Sequence, residues 1–279
     1  MILPIVKLMR LHYSVPVSCG LIAITMYLNA GRPFNSWPLI LTACSALCST
    51  ISAAYILNDV IDISVDRINR PSRMISSGMV SCHNAAIWAI LLFCVGLVVA
   101  ALCGKWFFAG ILIITAMLIY YDIFSKRIGL FKDVLCAALM TSLYPLSLTL
   151  VNVHSSPQAH SLFYSSVWLF LTCLSYQMYK DSGDSKGDVA AGPKSIAFYS
   201  SQKWFLSFAR IIAIVASFLP LLIWMLGYCG TVFLITSIMA IVLAVISTRR
   251  QPYTGIMFIY AEIAAVSAGA VLDLLILAP

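Results

Sequence analysis

Two stretches of the chain place aspartates at the same spacing. In NDVIDISVD (58–66) the acids are Asp59, Asp62 and Asp66; in DSGDSKGD (181–188) they are Asp181, Asp184 and Asp188. Steps of three and then four residues return to one face of an α-helix within about 60°. Each stretch therefore presents a carboxylate stripe. Carboxylates are hard oxygen ligands suited to Mg²⁺, which takes a few of them together with waters and substrate phosphates. Two such stripes repel each other unless cations and a phosphate-bearing substrate resolve the conflict. Arg67, Arg73, Lys126, Arg127, Lys180 and Lys194 lie close by in the sequence and can hold phosphate oxygens that metal leaves free.

Both stripes follow long apolar runs, so the elements that position them are membrane helices. The 279 residues are 62% hydrophobic and 10% charged, against about a quarter charged in a soluble domain. The mean hydropathy is +0.98. Nine segments have roughly the length of about 20 residues that a bilayer requires: 11–30, 38–57, 84–104, 106–122, 132–152, 162–179, 204–227, 229–247 and 254–277. Most connections are too short for a separate soluble domain. The sequence reads as one domain over residues 1–279, an all-α integral membrane protein of nine transmembrane helices in a single bundle.

The basic residues orient that bundle. Lys7 and Arg10 precede the first span, and Arg67, Arg70 and Arg73 follow the second. Lys126, Arg127 and Lys132 follow the fourth span. Lys180, Lys186, Lys194 and Lys203 follow the sixth, Arg210 begins the seventh, and Arg249 and Arg250 follow the eighth. Only Arg32 and Lys105 fall on the other side. By the positive-inside rule the N-terminus and both aspartate stripes are cytoplasmic and the C-terminus is outside. The acids show the same asymmetry: Asp122 and Asp133 join the six stripe aspartates on that face, leaving Glu262 and Asp273 elsewhere. Acids contribute little to topology, so this bias points to a site.

The net charge of +7 does not indicate nucleic acid, because the bases lie between apolar runs and form no stripe. The nine cysteines include no CxxC pair and read as small hydrophobes. The four histidines, His12, His83, His154 and His160, make no metal pattern. A transporter would place its charges near the bilayer midplane; Glu262, whose role the sequence leaves open, is the one such candidate.

These motifs resemble the UbiA superfamily of intramembrane prenyltransferases. NDVIDISVD fits that family's NDxxDxxxD motif, and DRINRPSRMISSGMVS is similar to its continuation into a short loop. YQMYKDSGDSKGDVAAG fits the second motif, with Tyr176, Lys180, Asp181, Asp184, Gly187, Asp188 and Gly192 in the family's positions. The pair Lys126 and Arg127 in YYDIFSKRIGL resembles the loop after span four. Met74 departs from a common proline, and Val189 from a common basic residue.

The resemblance implies a bundle around a central cavity, capped on the cytoplasmic side, with a prenyl diphosphate bound through Mg²⁺ between the motifs. Asn58, Asp59, Asp62, Asp66, Asp181, Asp184 and Asp188 become the metal-side set. Arg10, Arg67, Arg73, Lys126, Arg127 and Lys180 become diphosphate ligands, and Asp62, Asp66, Asp181, Asp188 and Lys126 carry the catalysis. Tyr55, Tyr120, Tyr121, Tyr176 and Tyr179 lie on spans leading to the motifs and can face a carbocation. The implied reaction is transfer of an isoprenoid chain to an acceptor that the sequence does not identify. The alternative is a cyclase of the same superfamily, which ionises the same diphosphate without an acceptor. The NRPSR…SSG loop is closer to the branch acting on glycerol-phosphate or chlorophyll-type acceptors than to the aromatic-acid branch.

Overall fold

The computed structural model describes residues 2–29, 36–69, 71–124, 130–151, 157–188 and 203–277. Among these residues the regular secondary structure is all helical, with no strand. The chain forms two compact units. The first comprises Met1–Thr25, Phe34–Phe124 and Pro145–Asn152; the second comprises Met26–Pro33, Ser125–Tyr144 and Val153–Pro279.

The first unit begins with α1 (Ile2–Leu8) and most of α2 (Leu11–Leu28). It continues through α3 (Trp37–Ile61), α4 (Ile63–Asn69), α5 (Cys82–Leu102) and α6 (Lys105–Phe124). Ser36 caps α3 by accepting from the Leu39 N–H at 3.4 Å, and Ser81 caps α5 by accepting from the Asn84 N–H at 3.2 Å. Such caps satisfy helix donors that have no intrahelical partner.

Helix α3 packs along α5 through small residues. Ala43, Ala46, Thr50 and Ala53 on α3, and Ala85, Ala89, Gly96 and Ala100 on α5, are buried at the three- and four-residue steps of one helix face. Within lipid no hydrophobic force drives helices together, so close backbone approach through small residues supplies the packing. At Gly96 the approach leaves no room for a side chain: a Cβ there would lie 2.5 Å from the Thr50 Oγ1. Outward faces of α5 and α6 expose Ile90, Val98, Leu102, Ile113 and other large apolar side chains, which suits contact with acyl chains.

The second unit contains α7 (Phe131–Thr141), α9 (Pro157–Asp188), α10 (Lys203–Ser217), α11 (Leu219–Met225), α12 (Thr231–Thr248) and α13 (Pro252–Leu277); α8 (Leu143–Leu148) crosses from one unit to the other. One core cluster gathers Trp168, Ala216, Ile223, Phe233, Ala240 and Val266, and another gathers Met178, Tyr179, Phe205, Ala209, Ile212 and Ile259. Asp273 and Glu262, two of the four acids outside the motifs, each have a donor here. Asp273 accepts from the backbone N–H groups of Gly230 and Val232, the latter at 3.0 Å, and so caps α12. Glu262 accepts from the Trp168 indole N–H at 3.2 Å.

Among the described residues, seven stretches are long and apolar enough to cross a membrane: Leu11–Leu28, Trp37–Ile61, Cys82–Leu102, Lys105–Phe124, Lys203–Met225, Thr231–Thr248 and Pro252–Ile276. The other two expected spans take different forms. Segment 132–152 is divided at Ser142 into α7 and α8, because Pro145 has no N–H to bond the Thr141 carbonyl. The Ser142 hydroxyl and N–H both turn back to the Leu139 carbonyl, at 2.6 and 3.2 Å. Segment 162–179 lies within the 32-residue α9, where Thr172, Ser175 and Gln177 dilute the apolar run and are buried.

Candidate active site

The first motif spans a helix break. Helix α3 stops at Asp62 (φ −88°, ψ 7°), and α4 resumes at Ile63. Four-residue hydrogen bonding persists across the break: the Asp62 N–H donates to the Asn58 carbonyl at 2.9 Å, and the Asp66 N–H to the Asp62 carbonyl at 2.8 Å. The stripe is therefore kept. Asp59 and Asp66, two turns apart, are buried on one side, and Asp62 is half-buried.

Two arginines meet those buried carboxylates. The Arg73 Nη1 donates to the Asp59 Oδ1 at 3.0 Å and to the Asp66 Oδ2, and the Arg10 Nη2 donates to the same Asp59 Oδ1. Arg10 forms the corner between α1 and α2 at φ +47°, a left-handed conformation that is costly for a residue with a side chain. Its ion pair with Asp59 offsets that cost, as does the Tyr55 ring 5.1 Å from its guanidinium carbon. Lys7, Leu8, Arg10, His12, Tyr13, Asp59, Arg73 and Met74 line a cleft of about 340 Å³. Three cations against one acid give that cleft an attraction for anions. Arg67 is exposed on the last turn of α4.

Asn58 faces the other way. Its Nδ2 donates to the Asp122 Oδ1 at 3.3 Å, linking α3 to the C-terminal turns of α6. The Asp122 Oδ2 is buried with no hydrogen-bond partner among the described residues.

The second motif lies at the end of α9. Asp181 is buried, and both of its oxygens accept from the Lys132 Nζ on α7, at 2.9 and 2.8 Å. Asp133, next along α7, is fully buried, and neither of its oxygens has a hydrogen-bond partner among the described residues. Gly183 and Gly255 permit close packing where α9 meets α13: a Cβ on Gly183 would touch the Tyr253 ring at 3.0 Å, and one on Gly255 would meet the Tyr179 ring at 2.6 Å. Lys180 is exposed. Helix α9 also carries Asp184 and Asp188; their side chains lie outside the described residues, as do Lys126 and Arg127.

The tyrosines have differing surroundings. Tyr55 carries the Arg10 guanidinium and lies 5.8 Å from the Tyr13 ring. Tyr120 is exposed beside Phe124, with ring centroids 4.8 Å apart, and Tyr121 is half-buried. The Tyr176 hydroxyl accepts from the Tyr260 hydroxyl at 2.8 Å. Tyr179 is fully buried in the core cluster of α9, α10 and α13.

Motif spacing does not reveal Lys132, Asp133 or Asp122 as neighbours of the motif residues. One signal for the first two was present: they are the only charges in the otherwise apolar run FKDVLCAALMTSLYPLSLTL. The donor set is all oxygen and fits Mg²⁺. Among the described residues no three acids, histidines or cysteines converge. The buried, unpartnered oxygen of Asp122 beside Asn58 also favours a nearby cation.

A helical membrane protein with two aspartate motifs at helix ends, arginines drawn onto one and a lysine onto the other, has the make-up of an intramembrane enzyme. The family model of the UbiA prenyltransferase family matches residues 17–254. The chain belongs to that family and is a prenyltransferase.

The digeranylgeranylglyceryl phosphate synthase of Sulfurisphaera tokodaii is 30% identical over 218 residues, 77% of this chain and 77% of that protein. The synthase of the same name from Metallosphaera sedula is 30% identical over 233 residues, 81% of this chain and 78% of its own. Among solved structures, one of digeranylgeranylglyceryl phosphate synthase superposes with a TM-score of 0.81 at 18% identity, covering 99% of each chain. A UbiA homologue from Archaeoglobus fulgidus bound to DMAPP and Mg²⁺ superposes with a TM-score of 0.71 at 15% identity, covering 97% of this chain and 100% of that one. The last two comparisons establish the fold.

Proposed function

We propose that this protein transfers an isoprenoid chain from an allylic prenyl diphosphate to a hydroxyl of a glyceryl phosphate acceptor, releasing diphosphate in a Mg²⁺-dependent reaction. The observation that carries the reading is similarity to synthases of that product class over about three quarters of both chains, with both aspartate motifs intact. The bond from C1 of the prenyl chain to the diphosphate oxygen breaks, a bond from C1 to the acceptor oxygen forms, and the hydroxyl proton is lost.

Asn58, Asp62, Asp66, Asp181, Asp184 and Asp188 would hold Mg²⁺, and the ion, when bound, neutralises charge on the departing diphosphate. Asp59 has a different part. Its Oδ1 takes both arginines, so it positions the guanidiniums of Arg10 and Arg73. These face the anion-attracting cleft, where they stabilise the leaving group as its charge develops. Lys126, Arg127, Arg67 and Lys180 supply further cations. Tyrosine faces along α3, α6 and α9 stabilise the allylic cation, and the apolar helices keep water from capturing it.

The proposed setting is one nine-crossing domain with its N-terminus and both motifs on the cytoplasmic face, as the distribution of bases requires. Segments 132–152 and 162–179 supply the two crossings beyond the seven apolar ones. The purified chain in detergent, given geranylgeranyl diphosphate and Mg²⁺, is expected to prenylate a geranylgeranylated glyceryl phosphate, read by mass spectrometry. Cyclised hydrocarbon formed without acceptor, or no acceptor-dependent product, refutes the proposal.

A further inference from the structure

Asn58 carries a choice that aspartate does not. Its amide has one end that can ligate a cation, the oxygen, and one end that repels it, the NH₂. The two ends have nearly the same shape, so packing alone does not select between them. Asp122 does. Its carboxylate accepts from the Asn58 Nδ2 at 3.3 Å, and only the NH₂ end can donate to a carboxylate. The amide oxygen is thereby turned away from Asp122. Asp122 is buried on the last turn of α6, where a negative charge opposes the helix dipole. It also shares its electrostatic surroundings with Asp62 and Asp59.

We propose that Asp122 is a positioning residue for the cation site: it fixes the rotamer of Asn58 so that the amide oxygen is presented as a ligand. The inference rests on the proposed Mg²⁺ role of the first motif. Outer hydrogen-bond partners of metal ligands typically account for about 10–100-fold in affinity.

The test is a cycle that removes the need for orientation. With Asp at position 58 both ends of the side chain are oxygens, and no partner has to choose between them. Mn²⁺ binding to the full-length protein in detergent, with inorganic diphosphate present, is titrated by electron paramagnetic resonance. Four forms are compared: wild type, Asp122→Ala, Asn58→Asp and the double variant. Asp122→Ala is expected to weaken Mn²⁺ about 10–100-fold in the wild-type background and by less than about threefold in the Asn58→Asp background. Equal weakening in both backgrounds, or none in the first, overturns the proposal. Should Asp122→Ala not fold, Asp122→Leu, which fills the space without an acceptor, is read in the same two backgrounds. Asp62→Ala separates the two levels of the argument. If it binds Mn²⁺ as wild type does, the metal role of the first motif fails; if it loses Mn²⁺ while Asp122→Ala does not, only the positioning role fails.

Discussion

Removing the Arg73 guanidinium tests whether the first motif is held together by charge before any substrate arrives. One nitrogen of Arg73 reaches both Asp59, at 3.0 Å, and Asp66. The three side chains are 19%, 5% and 9% exposed, so solvent screens the contacts weakly. A hydrogen bond to a charged group contributes about 1.5–3 kcal/mol, and stranding one partner of a buried pair costs roughly 3–5 kcal/mol. Asp59 retains Arg10 when Arg73 is lost, so most of the penalty falls on Asp66. Arg73→Ala is therefore expected to lose about 2–4 kcal/mol. At about 2–4 °C per kcal/mol for a chain of this size, Tm falls on the order of 4–16 °C, read by thermal unfolding in detergent at a fixed scan rate. Arg73→Ala with Asp66→Ala removes both charges and is expected to recover much of that loss, with a coupling of about 1.5–3 kcal/mol. A shift under about 1 °C for Arg73→Ala, or a double variant equal to the sum of the singles, refutes the charge-clamp account.

Lys132→Met strands Asp181 beside the buried Asp133 and is expected to cost roughly 3–5 kcal/mol without metal. Added Mg²⁺ should then raise Tm more in the variant than in wild type, because it replaces the lost cation; equal Mg²⁺ shifts would argue against a metal at Asp181. Gly96→Ala forces a Cβ onto the Thr50 hydroxyl and should lower stability by about 1–3 kcal/mol, with Thr50→Ala restoring part of the loss in thermal unfolding. Asp273→Ala removes the cap of α12 and should cost about 0.5–2 kcal/mol by the same measurement. Chelation by EDTA should abolish turnover reversibly, and Asp62→Ala and Asp188→Ala should each abolish it in a folded, inserted protein. Near-normal activity in either variant at saturating Mg²⁺ would count against a two-motif site.

Charge is scarce in this chain, and that scarcity made the motif acids and their basic neighbours legible. A polar group within a membrane helix must find a partner, so Asp59, Asp66 and Asp181 were bound to be satisfied by something. Which partner each acquires is a property of helix packing, and spacing along one helix does not contain it. The bond from Asn58 to Asp122 joins residues 64 apart, and that from Lys132 to Asp181 joins residues 49 apart. Asp59 is an example: its spacing gives no hint of the two arginines, Arg10 and Arg73, that its buried Oδ1 accepts from. The tyrosines divide in the same way: position along the spans treats Tyr55 and Tyr179 alike, but one carries a guanidinium and the other lies in the core. The broken segment 132–152 was legible in Pro145 alone, whose missing N–H outweighs an apolar run in setting where a helix stops. Composition and spacing therefore place the charged side chains at helix ends, and tertiary pairing gives residues of the same type different partners.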